Sequence, residues 1–360
     1  QRERRNTNRI LRGNMAAPAR IAAWTSELTG VRRAIVAVLL GALSLLAFAP
    51  FHLWPVLFVS LGGLTWLLDG SYRAGEMRFA RVLGAAITGF WFGFGFFLTG
   101  LYWVAEAFLV EPWRHGWLIP LVMTALPAGM ALFFAAGTAA AMVLWRAGPA
   151  RVFALGVGLG LSELARGHVL TGLPWNLIGY GLLSNDALMQ LAAPFGIYAV
   201  TVFAVLLFSA PAAIWSGGDS RSRATVLLTV LLVGFLGASF FWGGARLSGT
   251  HDASSDIRLR LVQANIDQAE KWQPGNAKRI FETYLEMTQQ PGLEEIGIVV
   301  WPETALPFPL DKSTDALSAI GATLPSKTIL LAGSVRWAEE RNDTGILLNR
   351  KAYNSLMAVN

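Results

Sequence analysis

The sequence predicts a bundle of membrane-spanning helices followed by a smaller α/β domain. Of its 360 residues, 54% are hydrophobic and only 14% are charged, which is too apolar for an ordinary soluble protein of this size. Lysines and short, strand-length apolar runs appear only after about residue 250. We therefore expect a basic N-terminal segment at residues 1–30, a transmembrane domain at 31–246 and a soluble domain at 247–360.

The long apolar runs set the number of spans, since roughly 20 residues cross a hydrocarbon core. They lie at 34–68, 82–105, 116–145, 187–215 and 224–245. Pro50 and Pro55 divide the first run into two helices joined by a tight turn. The shorter run 152–162 spans only if it continues to Arg166 with its polar residues facing the bundle interior. The pattern therefore predicts about seven spans, of which this is the fifth.

Arginines flank alternate spans and indicate the orientation of the bundle, because basic residues resist translocation. The N-terminal segment and the loops after spans two, four and six carry Arg2, Arg4, Arg5, Arg9, Arg12, Arg20, Arg32, Arg33, Arg73, Arg78, Arg81, Arg146, Arg151, Arg221 and Arg223. The opposite loops hold little beyond Arg114 and Arg166. We expect a cytoplasmic N-terminus and a soluble domain outside the membrane. The same distribution accounts for the net charge of +6 and excludes nucleic acid as the main partner.

The soluble segment alternates strand and helix, which is typical of a layered α/β fold. We expect strands at 257–265, 296–301, 328–335 and 352–359, with helices at 277–290 and 314–324. A domain of this kind is expected to be longer than the segment present. We therefore expect that the α/β domain is incomplete.

The end of the second strand presents the sharpest candidate for chemistry. Residues 298–301 are expected to form a strand buried on both faces, and Pro302 ends it because proline cannot donate to a strand ladder. Glu303 then lies at the carboxyl end of a central strand, where open α/β sheets present catalytic groups. On position alone, a glutamate that only solubilises the exit from the strand is an equal alternative.

The absence of cysteine excludes several kinds of site within these residues. Disulfides, thiolate metal sites and cysteine nucleophiles all need a residue that the 360 positions do not contain. The four histidines show no ligand spacing, so no metal site is expected; they are His52, His115, His168 and His251.

Several separated motifs occur in the order found in a known family. The soluble segment contains Leu261-Val262-Gln263-Ala264-Asn265, Lys271-Trp272 and Trp301-Pro302-Glu303-Thr304-Ala305. The membrane segment contains Phe48-Ala49-Pro50-Phe51, Gly100-Leu101-Tyr102-Trp103-Val104, Glu163-Leu164-Ala165-Arg166-Gly167 and Thr171-Gly172-Leu173-Pro174-Trp175. Over residues 33–360 the chain thus resembles the apolipoprotein N-acyltransferase family, a membrane branch of the carbon-nitrogen hydrolases (nitrilases).

The resemblance implies an enzyme of the bacterial inner membrane with an αββα sandwich in the periplasm. Its cysteine takes an acyl chain from a phospholipid as a thioester and passes it to the N-terminal diacylglyceryl-cysteine of an apolipoprotein, without a cofactor. Glu303 matches the proposed general base of the catalytic glutamate, lysine and cysteine. The family's lysine and cysteine lie beyond Tyr353-Asn354-Ser355, so we expect this chain alone to be inactive.

Four further residues are candidates for substrate binding. Glu163 and Arg166 share one helical face, either as a structural ion pair or with Arg166 holding a lipid phosphate or orienting the loop that follows. Trp175 and Tyr180 fit an interfacial segment, where anchoring in the aromatic belt competes with substrate contact. Trp272 either packs on a loop or, as the resemblance implies, lies near the mouth of the active site.

Two rival functions remain open at this stage. A membrane-tethered nitrilase-type amidase would hydrolyse a small amide with water in place of the amine. A non-catalytic membrane scaffold would use the soluble segment only to bind a partner. The gene beyond Asn360 discriminates between the acyltransferase and the scaffold. A lysine, a cysteine and a last hydrophobic span would support the acyltransferase, and a stop codon would support the scaffold.

Overall fold

A computed structural model describes residues 16–74, 77–215, 223–249, 256–273, 275–341 and 347–360. Within it the chain divides into two compact units, residues 1–251 and 252–360, which are described separately. Arg2, Arg4, Arg5, Arg9, Arg12, Arg221 and His251 lie outside the described residues. The predicted domain bounds at 30 and 246 stay predictions.

The first unit is a bundle of helices. They are α1 (Ala17–Glu27), α2 (Gly30–Ser44), α3 (Val56–Ala74), α4 (Arg78–Gly100), α5 (Glu106–Leu109), α6 (Pro112–His115), α7 (Ile119–Val143), α8 (Pro149–Arg166), α9 (Asp186–Met189), α10 (Ala192–Trp215) and α11 (Arg223–Gly249). The predicted turn between the first two long runs lies between α2 and α3 and contains Pro50 and Pro55. A non-helical residue, Gly196, interrupts α10 near its start.

Five helical segments among the described residues are long and apolar enough to cross a membrane. They cover Gly30–Ala47, Arg78–Gly100, Pro112–Val143, Ala192–Trp215 and Arg223–Gly249. This confirms a membrane domain ahead of the soluble one. Helices α3 and α8 occupy the places of the second and fifth predicted spans, and both carry buried charged side chains that lower their hydropathy, Asp69 in α3 and Glu163 in α8. The count of seven spans stays a prediction.

Glycines let the helices of the bundle approach closely. A Cβ at Gly95 of α4 would lie 2.8 Å from Val38 Cα of α2, and one at Gly93 would lie 3.1 Å from Ala131 Cα of α7. Phenylalanine rings fill the space beside these contacts, with Phe97 and Phe134 meeting edge to face at 5.4 Å. Small residues and close van der Waals packing are the usual basis of helix association in membranes, and they hold α4 against both neighbours.

A buried ion pair joins α3, α8 and α10 at one end of the bundle. Arg151 Nη1 donates to both carboxylate oxygens of Asp69, at 2.8 and 2.7 Å, and Arg151 Nη2 donates to the Ala213 carbonyl at 2.8 Å. Trp145 Nε1 donates to Asp69 Oδ1 at 3.0 Å. Arg151 was expected only as a loop residue that marks the cytoplasmic side. It is instead a buried residue of the first turn of α8 that packs the bundle.

The second unit contains one four-stranded sheet in the order β1-β2-β3-β4. Its strands are β1 (Leu259–Leu261), β2 (Ile298–Trp301), β3 (Ile329–Arg341) and β4 (Leu347–Val359), and its helices are α12 (Gln268–Lys271), α13 (Asn276–Thr288) and α14 (Thr314–Thr323). The first three strands are parallel, whereas β4 runs antiparallel to β3. All six predicted elements are present, β1 is shorter than expected, and the short α12 was not foreseen.

The predicted burial of β2 on both faces is wrong. Val299 and Trp301 are fully buried, but Ile298 and Val300 on the other face are only partly covered. Val299 and Trp301 share one core with Ile280 of α13 and Ile320 of α14. Within the described residues these helices therefore cover the Val299 face. An αββα sandwich stays a prediction.

Candidate active site

The structure places Glu303 immediately after β2, in a segment that passes directly over β3. The N–H of Ala305 donates to the Gly333 carbonyl at 2.9 Å. A Cβ at Gly333 would lie 2.6 Å from Glu303 Cα, closer than side chains are found in proteins. Thr304 has a φ of +46°, a conformation that residues other than glycine rarely adopt. The backbone that carries Glu303 is thus fixed by a glycine on the neighbouring strand and by a strained residue beside it.

Asn354 of β4 orients the Glu303 carboxylate. Its Nδ2 donates to Glu303 Oε1 at 2.6 Å. Asn354 pairs with Val335 of β3, two residues beyond Gly333, so the 302–304 segment reaches β4 by crossing β3 at the glycine. A bond to Oε1 helps to orient the carboxylate and does not use Oε2. The sequence analysis names Asn354 only as part of Tyr353-Asn354-Ser355 and assigns it no role, because its one local signal is a polar amide inside a predicted strand.

Lys271 is the second charged residue of the site. It lies at the end of α12, half-buried, and its ammonium is close enough to Glu303 for the two charges to interact. Burial lowers the pKa of Lys271, and the Glu303 carboxylate opposes this shift and raises it. The sequence analysis names Lys271 only as part of the Lys271-Trp272 motif and predicts no role for it. The structure makes it a cation beside the candidate base.

Trp272 lies next to Lys271, half-exposed, with the Lys271 Nζ 5.9 Å from its ring centroid. An exposed indole beside the charged pair is compatible with the expected place near the mouth of an active site. Its part in substrate binding stays a prediction.

The arrangement has the parts of a general base. Glu303 is an exposed carboxylate, held by an amide donor and a rigid turn, with an ammonium group nearby. An oriented carboxylate can accept a proton from an approaching nucleophile. Among the described residues no group of three or more His, Asp or Glu side chains has the arrangement of a metal site.

In the membrane unit, Arg166 and Glu163 form a buried ion pair at the end of α8. Arg166 Nη2 lies 3.0 Å from Glu163 Oε2, and both side chains are fully buried. Arg166 Nη1 also donates to the carbonyls of Leu173 and, at 2.8 Å, Trp175, while its guanidinium lies 4.9 Å from the Phe97 ring centroid. These contacts tie the loop after α8 to the bundle. They favour the ion-pair and loop-orienting interpretation of Arg166 over contact with a lipid phosphate.

Trp175 and Tyr180 are both partly exposed in the segment after α8. The Trp175 ring lies 5.1 Å from Trp103, and Tyr180 belongs to a short 3-10 helix, Ile178–Leu182. Two neighbouring tryptophans on an exposed surface are typical of an interfacial aromatic belt. Direct contact of either residue with substrate stays a prediction.

Comparisons with known proteins agree with the motifs. Residues 40–211 match the family described as apolipoprotein N-acyltransferase N-terminal domain. Proteins named apolipoprotein N-acyltransferase are 39% identical in Rhodopseudomonas palustris, over 348 residues, and 38% identical in Brucella suis, over 349 residues. Each alignment covers 95% of this chain and 64% of the relative. The chain therefore spans less than two thirds of the length of these relatives, and the family resemblance stated from the motifs is confirmed.

Proposed function

We propose that this chain, in which residues 40–211 match the N-terminal domain of apolipoprotein N-acyltransferases, is part of such an enzyme. The enzyme transfers an acyl chain from a phospholipid to the N-terminal diacylglyceryl-cysteine of an apolipoprotein. The observation that carries the proposal is the oriented carboxylate of Glu303, held by Asn354 at the carboxyl end of a parallel strand in a chain that also carries membrane-length helices.

Glu303 acts in this scheme as the base that takes the proton from a thiol. The thiolate attacks the ester carbonyl of the phospholipid, and the ester bond breaks to leave a thioester and a lysophospholipid. The amine of the apolipoprotein then attacks the thioester and releases the thiol. Because these 360 residues contain no cysteine, the thiol belongs to polypeptide outside them, as does the lysine that the family uses for the oxyanion.

Lys271 and Asn354 position the base. Lys271 places a positive charge near Glu303, and Asn354 holds Oε1 so that Oε2 is left to accept the thiol proton. Trp272 is proposed to lie at the mouth of this site, and Trp175 and Tyr180 are proposed to contact lipid in the membrane unit. Neither step needs a metal or a diffusible cofactor.

The rival functions are less well supported. A tethered amidase has no need of a membrane domain of the acyltransferase type, yet residues 40–211 match that domain. A scaffold that only binds a partner gives no reason for a carboxylate fixed by both a strained turn and an amide donor.

We propose that the helices form seven spans in the bacterial inner membrane, with a cytoplasmic N-terminus, and that the sheet becomes part of a periplasmic αββα sandwich. The five membrane-length helices found in the described part of the chain and the arginine distribution support this arrangement. Helices α3 and α8 complete the seven, since their charged side chains are paired inside the bundle, which lowers the cost of placing them in a membrane.

The orientation predicts which single cysteines a membrane-impermeant maleimide labels in intact spheroplasts. Lys312→Cys in the soluble unit is expected to react, and Ala147→Cys between α7 and α8 is expected to react only after the membrane is opened. Both side chains are exposed, and the chain has no cysteine of its own to interfere. Labelling of Ala147→Cys but not Lys312→Cys in closed spheroplasts would reverse the proposed orientation.

The function itself is tested by replacing the apolipoprotein N-acyltransferase of a bacterial host. The complete gene that encodes this chain is expected to restore the third acyl chain on host lipoproteins, seen by mass spectrometry as one added acyl group on the N-terminal lipopeptide. The 360 residues expressed alone serve as the matched control and are expected to form no thioester. Diacylated lipoproteins in cells with normal membrane levels of the complete protein would contradict the proposal.

A further inference from the structure

Helices α2 and α4 enclose an open groove on the surface of the membrane unit. Both helices place their first turns beside the last turn of α3, since Arg33 contacts Ser71 and Arg81 lies over the Tyr72 ring. They therefore run parallel. They touch closely at Gly95 and Val38, and towards their first turns they separate to leave a groove of about 700 Å³.

The groove is apolar along its length and has a cation at one end. Its walls include Val31, Ile35, Val38, Ile87 and Trp91. Ile35 and Ile87 are each about half-exposed, although they lie on membrane-length helices. Such side chains contact lipid when the helices are in a membrane. The volume falls within the roughly 300–1,000 Å³ of small-molecule sites.

Arg33 is the one charged side chain among the described residues that line the groove. Its Nε donates to the Leu28 carbonyl at 2.7 Å, and its Nη1 donates to Ser71 Oγ at 2.9 Å. Both partners are uncharged, so these bonds hold the guanidinium in place without neutralising it. A fixed positive charge therefore lies at the end of an apolar channel that opens towards lipid.

We propose that this groove binds one anionic phospholipid, with an acyl chain along α2 and α4 and the phosphate at Arg33. Charge complementarity selects the occupant. Arg73, Arg78 and Arg81 belong to the ends of α3 and α4 that lie beside the first turn of α2, and basic pockets between membrane helices favour anionic head groups. The site needs only the membrane location of α2 and α4. It is independent of Glu303 and of the acyl-transfer chemistry.

Native mass spectrometry of the full chain in detergent tests the proposal with two probes, phosphatidylglycerol and phosphatidylcholine of identical acyl chains. Phosphatidylglycerol is expected to bind more tightly and to lose affinity as salt is added. Arg33→Gln is expected to weaken phosphatidylglycerol binding about fivefold, as expected for one arginine near a head group. Ala34→Phe, which places a ring in the groove, is expected to weaken it at least as much.

Arg32→Gln is the matched control, since it removes the same charge from the neighbouring exposed position outside the groove lining. It is expected to change binding less than twofold, which is below the fivefold effect expected for Arg33→Gln. Equal effects of Arg32→Gln and Arg33→Gln would show diffuse attraction to a basic surface and overturn the site. An unchanged affinity in Ala34→Phe would exclude the groove, and equal affinity for the two lipids would exclude the phosphate contact. Arg33→Lys keeps the charge and is expected to retain the preference for phosphatidylglycerol.

Discussion

Acyl-enzyme formation by the complete protein is expected to fall about 10²- to 10⁴-fold when Glu303 is replaced by Gln, the usual effect of losing a general base. Glutamine has the size of glutamate, and its carbonyl oxygen can still accept the hydrogen bond from Asn354 Nδ2. It has no basic oxygen to take the thiol proton. The change therefore removes the proposed chemistry and leaves the local geometry in place.

Asn354→Ala separates positioning from proton transfer. Without the amide donor Glu303 still has a carboxylate to take the proton but loses one hydrogen bond that orients it, so the loss of rate is expected to be smaller than in Glu303→Gln. A folded Asn354→Ala protein that forms the thioester at the normal rate would exclude a positioning role for Asn354.

The assay for both variants follows transfer of a labelled acyl chain from a phospholipid to the enzyme. Circular dichroism and the elution volume in detergent establish that each variant is folded. A folded Glu303→Gln protein that forms the thioester at the normal rate would exclude Glu303 as the base. It would then be a glutamate that only solubilises the end of β2.

The place of Glu303 was predictable because it depends on local signals. An apolar run that ends at Pro302 defines a strand. Glu303, the residue after Pro302, therefore lies at the carboxyl end of a parallel strand. Asn354 and Gly333 were not predictable in the same way. Their roles depend on the register of β3 against β4 and on the path of the 302–304 segment over β3, and neither is encoded in neighbouring residues.

In the membrane unit, too, features set by neighbouring residues were predictable and contacts between residues far apart in the sequence were not. Hydropathy located the long helices, and turn residues located the break between α2 and α3, whereas α1 and the short α5, α6 and α9 were not predicted. The partner of Arg151 could not be predicted from the sequence, since Asp69 lies 82 positions earlier and only helix packing brings the two side chains together. A count of arginines that mark loops cannot distinguish an exposed Arg146 from a buried Arg151.

The buried pair of Asp69 and Arg151 gives the prediction with the largest expected effect on stability. Asp69→Leu is expected to lower the free energy of unfolding by about 3–5 kcal/mol, because it leaves the Arg151 charge buried without its partner. Trp145 Nε1 loses its acceptor in the same variant, which adds to the cost. Unfolding of the purified chain by denaturant in detergent micelles measures the effect.

The double variant Asp69→Leu with Arg151→Met tests whether the cost comes from the uncompensated charge. Apolar side chains on both sides leave no buried charge, although Trp145 Nε1 and the Ala213 carbonyl still lose a partner. The double variant is therefore expected to be more stable than Asp69→Leu alone and less stable than the wild type. If the losses of unfolding free energy in Asp69→Leu and in Arg151→Met simply add in the double variant, the two residues are not coupled. The helices α3, α8 and α10 would then be held together by apolar packing rather than by this pair.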